Sequence, residues 1–236
     1  MEPLRQRNRW YAVPVPRDTA RTKERLLDAA VAEFVTHGLA GATMERIARA
    51  AGVNKERLYA YFGDKNSLFA TVLADKLIGI ADAVPLNTDS VAAVAEFAAS
   101  TYDYQVDNPD LARLIAWEAL AGADATSGEH IRAERYGEKC RQLARAQRAG
   151  IVTSALPAPH LLALLLSVSN WWATSPQVAK MITGLDDADP SERAARRTAV
   201  VEAASRLVQP AAEHQPRAAP LRRPLAADDG IRRPRG

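Results

Sequence analysis

The stretch Thr43-Met-Glu-Arg-Ile-Ala-Arg-Ala-Ala-Gly-Val-Asn-Lys-Glu-Arg-Leu-Tyr-Ala-Tyr-Phe62 decides the fold. It reads as two short helices joined by Ala51-Gly52-Val53: Met44, Ile47 and Ala48 share one face of the first, and Leu58 turns inward on the second. Thr43 and Asn54 each place a side-chain oxygen where a helix N-terminus needs an acceptor. Small Ala48 permits close approach of the two helices, Gly52 permits a left-handed turn, and Val53 plugs the gap between them. The pattern is that of a helix-turn-helix. Its second helix, Asn54 to about Tyr61, is expected to enter the major groove of double-stranded DNA while the first crosses the backbone.

Outward from this motif the helical period continues. Leu26, Leu27, Ala30, Val31 and Phe34 fall on one face of a helix that is predicted to stop at Gly38. After Phe62 and Gly63, Asp64 caps a longer helix with Leu68, Phe69, Val72, Leu73 and Leu77 on its core face. Pro85 and Asn87-Thr88-Asp89 then mark a break. Beyond it the pattern predicts helices from about Ser90 to Val106, Pro109 to Gly122, Glu129 to Gly150 and Pro159 to Ser175. A short extension runs through Ile182 and Gly184, and a last helix spans Ser191 to Gln209. No strand-like alternation runs for more than a few residues. The expected fold class is all-α. The domains are read as a basic, disordered arm over 1–18, a helix-turn-helix DNA-binding domain over 19–82, a second helical domain over 83–209 and a basic Pro/Arg-rich disordered tail over 210–236.

Composition narrows the function classes. The chain has 236 residues, 47% of them hydrophobic, enough for a real core. The single cysteine, Cys140, excludes a disulfide framework and a cysteine-built metal site, and it fits a reducing cytoplasm. Leu161 to Val168 is the strongest apolar run, far short of the ~20 residues of a membrane span, and the basic start of the chain lacks the apolar stretch of a secretory signal. A cytoplasmic protein without a membrane partner is expected. The net charge of +3 sits in the ends: residues 1–17 carry four Arg and one Glu, and residues 210–236 six Arg and three acids. DNA binding therefore rests on the motif and not on bulk charge.

Several stretches together resemble the N-terminal domain of the TetR family of transcriptional regulators. They are Arg25-Leu-Leu-Asp-Ala-Ala-Val-Ala-Glu-Phe34 with Gly38, Thr43 with Ile47-Ala48, Ala51-Gly52-Val53, and Leu58-Tyr59-x-Tyr61-Phe62 with Lys65-x-x-Leu68-Phe69. The resemblance implies a ligand-binding, dimerising helical domain for the second half. There Pro109-Asp-Leu-Ala-Arg-Leu-Ile-Ala-Trp-Glu-Ala-Leu120 looks like a segment of some members. Carried over by position, it puts Thr43, Tyr59, Tyr61 and Lys65 at phosphates, and Lys55, Glu56, Arg57 and Tyr59 near base edges, with Asn54 opening the reading helix. Glu56 departs from the pattern, which favours a small residue there; it either accepts from a cytosine amino group or pairs with a nearby cation. Arg21 and Lys23, read as preceding the first helix, are assigned to a minor groove or phosphate, or else to ordinary solvated charge.

In the second half, Leu111, Leu114, Ile115 and Glu118 share a helical face, so a carboxylate sits among apolar residues and needs a partner, either an Arg of a neighbouring helix or a ligand. Tyr102, Trp117, Asn170 and Trp171 join Glu118 as the expected lining of an effector cavity, with core packing as the alternative for the aromatics. A dimer seam is expected on the last two long helices, at Leu161, Leu165, Val168, Val200, Ala204 and Leu207, because one reading helix spans only a few base pairs. Cys140 reads as an inert, buried thiol more readily than as a redox sensor. The four histidines show no metal-site spacing, and Asp186, Asp187 and Asp189 read as a solvated loop.

No phosphate-cradling or nucleophile motif is present, so neither a cofactor nor a catalytic residue is assigned. The expected protein is not an enzyme but a homodimeric regulator, a repressor released from a palindromic operator by a small molecule. The alternatives are an activator or architectural DNA-binding protein without effector-induced release, and more distantly an enzyme pairing Glu118 with His130.

Overall fold

Ten helices and no strands make up the described part of the chain, residues 17–121, 129–185 and 189–210 of a computed structural model. In chain order they are α1 (Arg17–Gly41), α2 (Met44–Ala51), α3 (Lys55–Phe62), α4 (Lys65–Ala83), α5 (Val91–Asp107), α6 (Pro109–Ala121), α7 (Glu129–Arg148), α8 (Ala158–Thr174), α9 (Pro176–Thr183) and α10 (Pro190–Val208). The expected all-α architecture is the observed one.

Boundaries follow local chemistry. The side chains of Thr43, Asn54, Asp64 and Ser90 accept backbone N–H bonds in the first turns of α2, α3, α4 and α5, filling acceptor positions that the helix itself leaves open. The first helix bends out of helical geometry at Gly38, where the sequence places its end, and the chain turns on through Gly41. At its other end α1 begins earlier than expected. No breaker stands between Pro16 and Leu26, so Arg21 and Lys23 lie inside the helix and not ahead of it. The expected extension of α8 is a separate helix, α9, because Pro176 lacks the N–H that would continue the ladder.

Two apolar cores form. The first joins Leu26, Ala30 and Phe34 of α1, Ile47 of α2, Leu58 of α3, and Leu68, Phe69, Val72 and Leu73 of α4, with the Phe34 and Phe69 rings edge to face at 5.1 Å. The second joins Val94, Phe97 and Tyr102 of α5, Leu143 of α7, Leu161 and Leu165 of α8, and Val200, Ala204 and Val208 of α10. Ser169 Oγ, fully buried, donates toward the carbonyls of Ala98 and Leu165, and the Thr153 N–H donates to Val208 O, tying α5, α8 and α10 into one bundle.

Helix α6 lies in the stretch read as the second unit, yet Leu111 and Leu114 are buried in the first core. Trp117 follows them onto α1. Its ring covers Gly38, whose φ of 65° and ψ of 179° belong to glycine, and a Cβ there would stand 2.8 Å from the ring carbons. Gly38→Ala therefore combines backbone strain with displacement of the indole. The expected loss is about 2–4 kcal/mol in urea unfolding, while substituting exposed Gly63, with no side chain in close contact, leaves α6 seated.

Candidate nucleic-acid interface and internal cavity

The first core holds α2 and α3 as a rigid pair. Gly52, at φ 64° and ψ 36°, ends α2 with its N–H on Ala48 O and Arg49 O, and Val53 N–H returns to Ala48 O at 3.0 Å. Arg25 of α1 donates to Ala51 O, a cap that no local pattern announces. Leu58 and Phe62 sit in the core, which turns Lys55, Glu56, Arg57 and Tyr59 outward from one exposed face of α3, with Asn54 at its head.

This face carries preset cations. Lys55 lies over the Tyr59 ring at 5.6 Å and pairs with Glu45 of α2, whose hydrogen bond holds the ammonium above, and the carboxyl below, their ordinary pKa ranges. Arg57 lies over the Tyr61 ring at 5.8 Å and reaches its hydroxyl at 3.4 Å. Long donors stacked on aromatic faces are the side chains that reach base edges and phosphates. Glu56 is exposed beside them, and Arg21 and Lys23 are exposed on the first turns of α1.

Two expected phosphate ligands also have internal work. Thr43 Oγ1 accepts the Arg46 N–H at 3.3 Å as the cap of α2. Lys65 Nζ donates to Ala40 O and Ala42 O at 3.2 and 3.1 Å, binding α4 to the end of α1. An ammonium has three donors, and two are engaged.

A second, internal feature lies where the two cores meet. A cavity of about 100 Å³, partly open to solvent, is lined by Leu77, Ile80 and Ala81 of α4, Phe97, Thr101 and Gln105 of α5, and Ile115 of α6. The α7 face of Arg132, Arg135, Tyr136 and Lys139 and the α8 residues Leu166 and Asn170 complete it. Of the five residues expected to line a cavity, Asn170 lines this one, bonded to Gln105 Nε2 at 3.2 Å, while Tyr102 lines a separate cavity with Arg113, Trp172 and Arg196, and Trp171 a surface groove beside α10. Trp117 is drawn away onto Gly38. Glu118 is paired with Arg132 at 2.6 Å, the structural partner that a carboxylate on an apolar face requires. Tyr102 is buried beside α10 with its hydroxyl 3.4 Å from Arg193 O, and Trp171 stands a third exposed, edge to face with Trp172. The cationic α7 wall was not assigned from sequence, although Arg132, Arg135, Tyr136 and Lys139 recur at helical spacing.

Three of the six residues expected at the dimer seam require correction. Leu161, Leu165 and Ala204 have no exposed surface within a single chain, because the α8 and α10 faces that bear them close on α5, whereas Val200 lies at the floor of the surface groove between α8 and α10. A side chain without accessible surface cannot meet a second copy. Val168 and Leu207 are half-buried. The adjacent faces carry Leu164, Val168 and Trp171 on α8 and Ala199 and Ala203 on α10 at the surface.

The remaining chemistry is modest. Burial raises the Cys140 thiol above its ordinary pKa, against the opposing charge of Arg141, so it stays protonated. Asp189 caps α10 through Ser191; Asp186, Asp187 and the side chain of His130 lie outside the described residues. Among the described residues no group of three or more His, Cys, Asp or Glu is placed to hold a metal, and no helix is long and apolar enough to cross a membrane.

Comparison with known proteins gives matches over both halves. Residues 26–72 match the family described as bacterial regulatory proteins, tetR family, and residues 93–206 match the tetracyclin repressor-like C-terminal domain. The HTH-type transcriptional repressor SCO4008 of Streptomyces coelicolor is 39% identical over 77% of this chain and 96% of its own length. The HTH-type transcriptional regulator RutR of Escherichia coli is 30% identical over 71% of this chain and 81% of its own. Among solved structures, SCO4942 of Streptomyces coelicolor is 34% identical over 79% of this chain and 98% of its own, with a TM-score of 0.67. FadR of Bacillus subtilis, solved in complex with stearoyl-CoA, shares the fold at 14% identity over 78% of this chain and 97% of its own, with a TM-score of 0.64.

The Glu33–Arg46 pair ties α2 to α1. Burial raises the Glu33 carboxyl, but the bonds from Arg46 Nε at 2.6 Å and Thr43 N–H at 3.0 Å, with the charges of Arg46 and His37, outweigh it and leave the pKa below its ordinary value. A carboxyl depressed on folding contributes stability above its unfolded pKa of ~4.3, and that contribution fades as pH falls through the lower folded value. Glu33→Gln is therefore expected to lose about 1–3 kcal/mol at pH 7. In thermal unfolding across pH, its gap from the unaltered chain should narrow below pH ~4.

Proposed function

Because the chain belongs to the TetR family of bacterial regulatory proteins, we propose that it is a homodimeric repressor that holds a palindromic operator with two copies of α3 and lets go when a small molecule fills the cavity. The repressor reading is supported by the relative SCO4008, itself named a transcriptional repressor. Two reading heads are needed because a single helix contacts only a few base pairs in one groove. The bacterial cytoplasm, where the operator lies, is the compartment for this work.

One observation carries the release mechanism. Helix α6 places Leu111 and Leu114 in the reading-head core and Ile115 on the cavity. Helix α4 does the same, with Leu68, Phe69, Val72 and Leu73 in that core and Leu77, Ile80 and Ala81 on the cavity. A ligand that prefers one packing of α4 and α6 over another changes where each α3 points. Across a two-fold axis that alters the distance between heads and so the affinity for a fixed half-site spacing. Phosphate contact is assigned to Thr43, Tyr59, Tyr61 and Lys65, and base contact to Lys55, Arg57 and Glu56 beneath the Asn54 cap. Arg21 and Lys23 reach the backbone from α1.

The seam is assigned to the exposed faces of α8 and α10. Leu164 and Trp171 are 40% and 36% exposed on α8, and Ala199 and Ala203 leave room beside them for close helix approach. Leu164→Glu is expected to give a folded monomer in sedimentation velocity and to abolish operator binding, whereas a dimeric variant would place the seam elsewhere.

The reading head is tested with an operator selected from random duplexes by the purified protein. Tyr59→Ala should weaken binding about tenfold or more with unchanged thermal stability, since Tyr59 is 42% exposed and outside the core. Lys65→Ala should lower the salt slope by about one unit and, unlike Tyr59→Ala, lose about 1 kcal/mol of stability. Unaltered affinity in both variants would reject the assignment.

A further inference from the structure

Three cations of α7 face the cavity, and they are not alike. Arg132 is neutralised by Glu118 at 2.6 Å and Arg135 by Asp82 at 2.8 Å. Lys139 has no carboxylate partner among the described residues. Its Nζ donates to Val84 O at 3.3 Å and lies 4.9 Å from the centre of the Phe97 ring. A carbonyl and a ring face steady an ammonium without cancelling its charge. Burial pushes the Lys139 pKa down, and the charge of Arg135 pushes it further the same way. At another part of the lining, Gln105 donates its amide N–H to Asn170 Oδ1, while its Oε1 is buried with no partner. Buried acceptors are nearly always satisfied, so this oxygen is a place for a donor.

Between these polar points the walls are apolar: Leu77, Ile80 and Ala81 on one side, Leu166 on the other. A cation would meet the uncompensated ammonium of Lys139 and no free carboxylate, since Glu118 and Asp82 are engaged by Arg132 and Arg135. An inorganic anion would lose its hydration to apolar walls with few donors in return. We propose that the cavity takes a small organic carboxylate, of the size of a single substituted ring, with its anionic oxygens on Lys139 Nζ and a hydrogen-bond donor at its opposite edge on Gln105 Oε1. The proposal rests on the reading of this cavity as the effector site. The Glu118 carboxylate does not stand against an anion there, because it is already engaged by Arg132.

The test is calorimetric titration of the full chain at pH 7 with benzoate, 4-hydroxybenzoate and the two matching uncharged amides. The acids are expected to bind at least tenfold more tightly than their amides, and the hydroxylated acid several-fold more tightly than benzoate. Lys139→Met should abolish the preference for acid over amide and raise the melting temperature, since an uncompensated buried charge is gone; Lys139→Arg should keep the preference. Absence of saturable acid binding, equal binding of the amides, or a preference that survives Lys139→Met each overturns the proposal. Should Lys139→Met fail to fold, the comparison of acid with amide in the unaltered chain decides alone. Release from the selected operator is measured beside it. Lys139-dependent acid binding without release would leave the anion site standing and refute the effector reading, while release by the amides as effective as by the acids would refute the anion site and leave that reading intact.

Discussion

The burial of Leu111 and Leu114 in the reading-head core is the constraint on which the rest of the structure turns. Each fully buried leucine contributes about 1.5–3 kcal/mol, so α6 is held to α1 and α4 more firmly than any surface contact would hold it. Trp117 extends the attachment by lying on Gly38, at the one point of α1 where only a glycine fits. The consequence is geometric. A helix that lies beyond the Pro85 break by sequence packs with the first core in space, and its Ile115 faces the cavity between the two cores. The two cores are therefore not independent bodies joined by a hinge; Ile80 and Tyr104 also pack against both.

Charge around this junction is arranged to the same end. Most buried or half-buried ionic groups meet a partner: Glu33 with Arg46, Glu118 with Arg132, and Glu192 with Arg196, which also stacks on Trp172. The two pairs that cross between helices, Glu33–Arg46 and Glu118–Arg132, fix relative helix position more than they add net stability, because desolvation offsets much of their attraction, while Glu192–Arg196 lies within α10. Lys139 stands out against this background as a half-buried cation without a carboxylate among the described residues.

The α8–α10 pair shows how one apolar helix serves two purposes on different faces. Leu161, Leu162 and Leu165 close on α5, α7 and α10, while Leu164, Val168 and Trp171 remain at the surface. An α8 that is apolar nearly all round reads as a seam from sequence, but only the inner stripe is needed for the fold of one chain. The outer stripe is apolar surface that the fold of one chain leaves uncovered.

Local signals determined much of this protein in advance. The caps Thr43, Asn54, Asp64 and Ser90, the left-handed Gly52, and the apolar periods around Phe34, Ile47 and Phe69 placed the first five helices and the exposed face of α3, because each depends on residues within a few positions of one another. What only the tertiary structure decided are the facts that need two distant segments at once. Lys65, assigned from sequence to a phosphate, also binds Ala40 O and Ala42 O. Glu118 meets Arg132 across the α6–α7 connection, and Tyr102, Trp117 and Trp171, alike in chemistry, go to three different places. The faces of α8 and α10 were divided between one chain's core and its surface by the docking of α5. Helical periodicity says that a face is apolar, but which neighbour covers it is set by packing between residues far apart in the chain, and no local pattern carries that information.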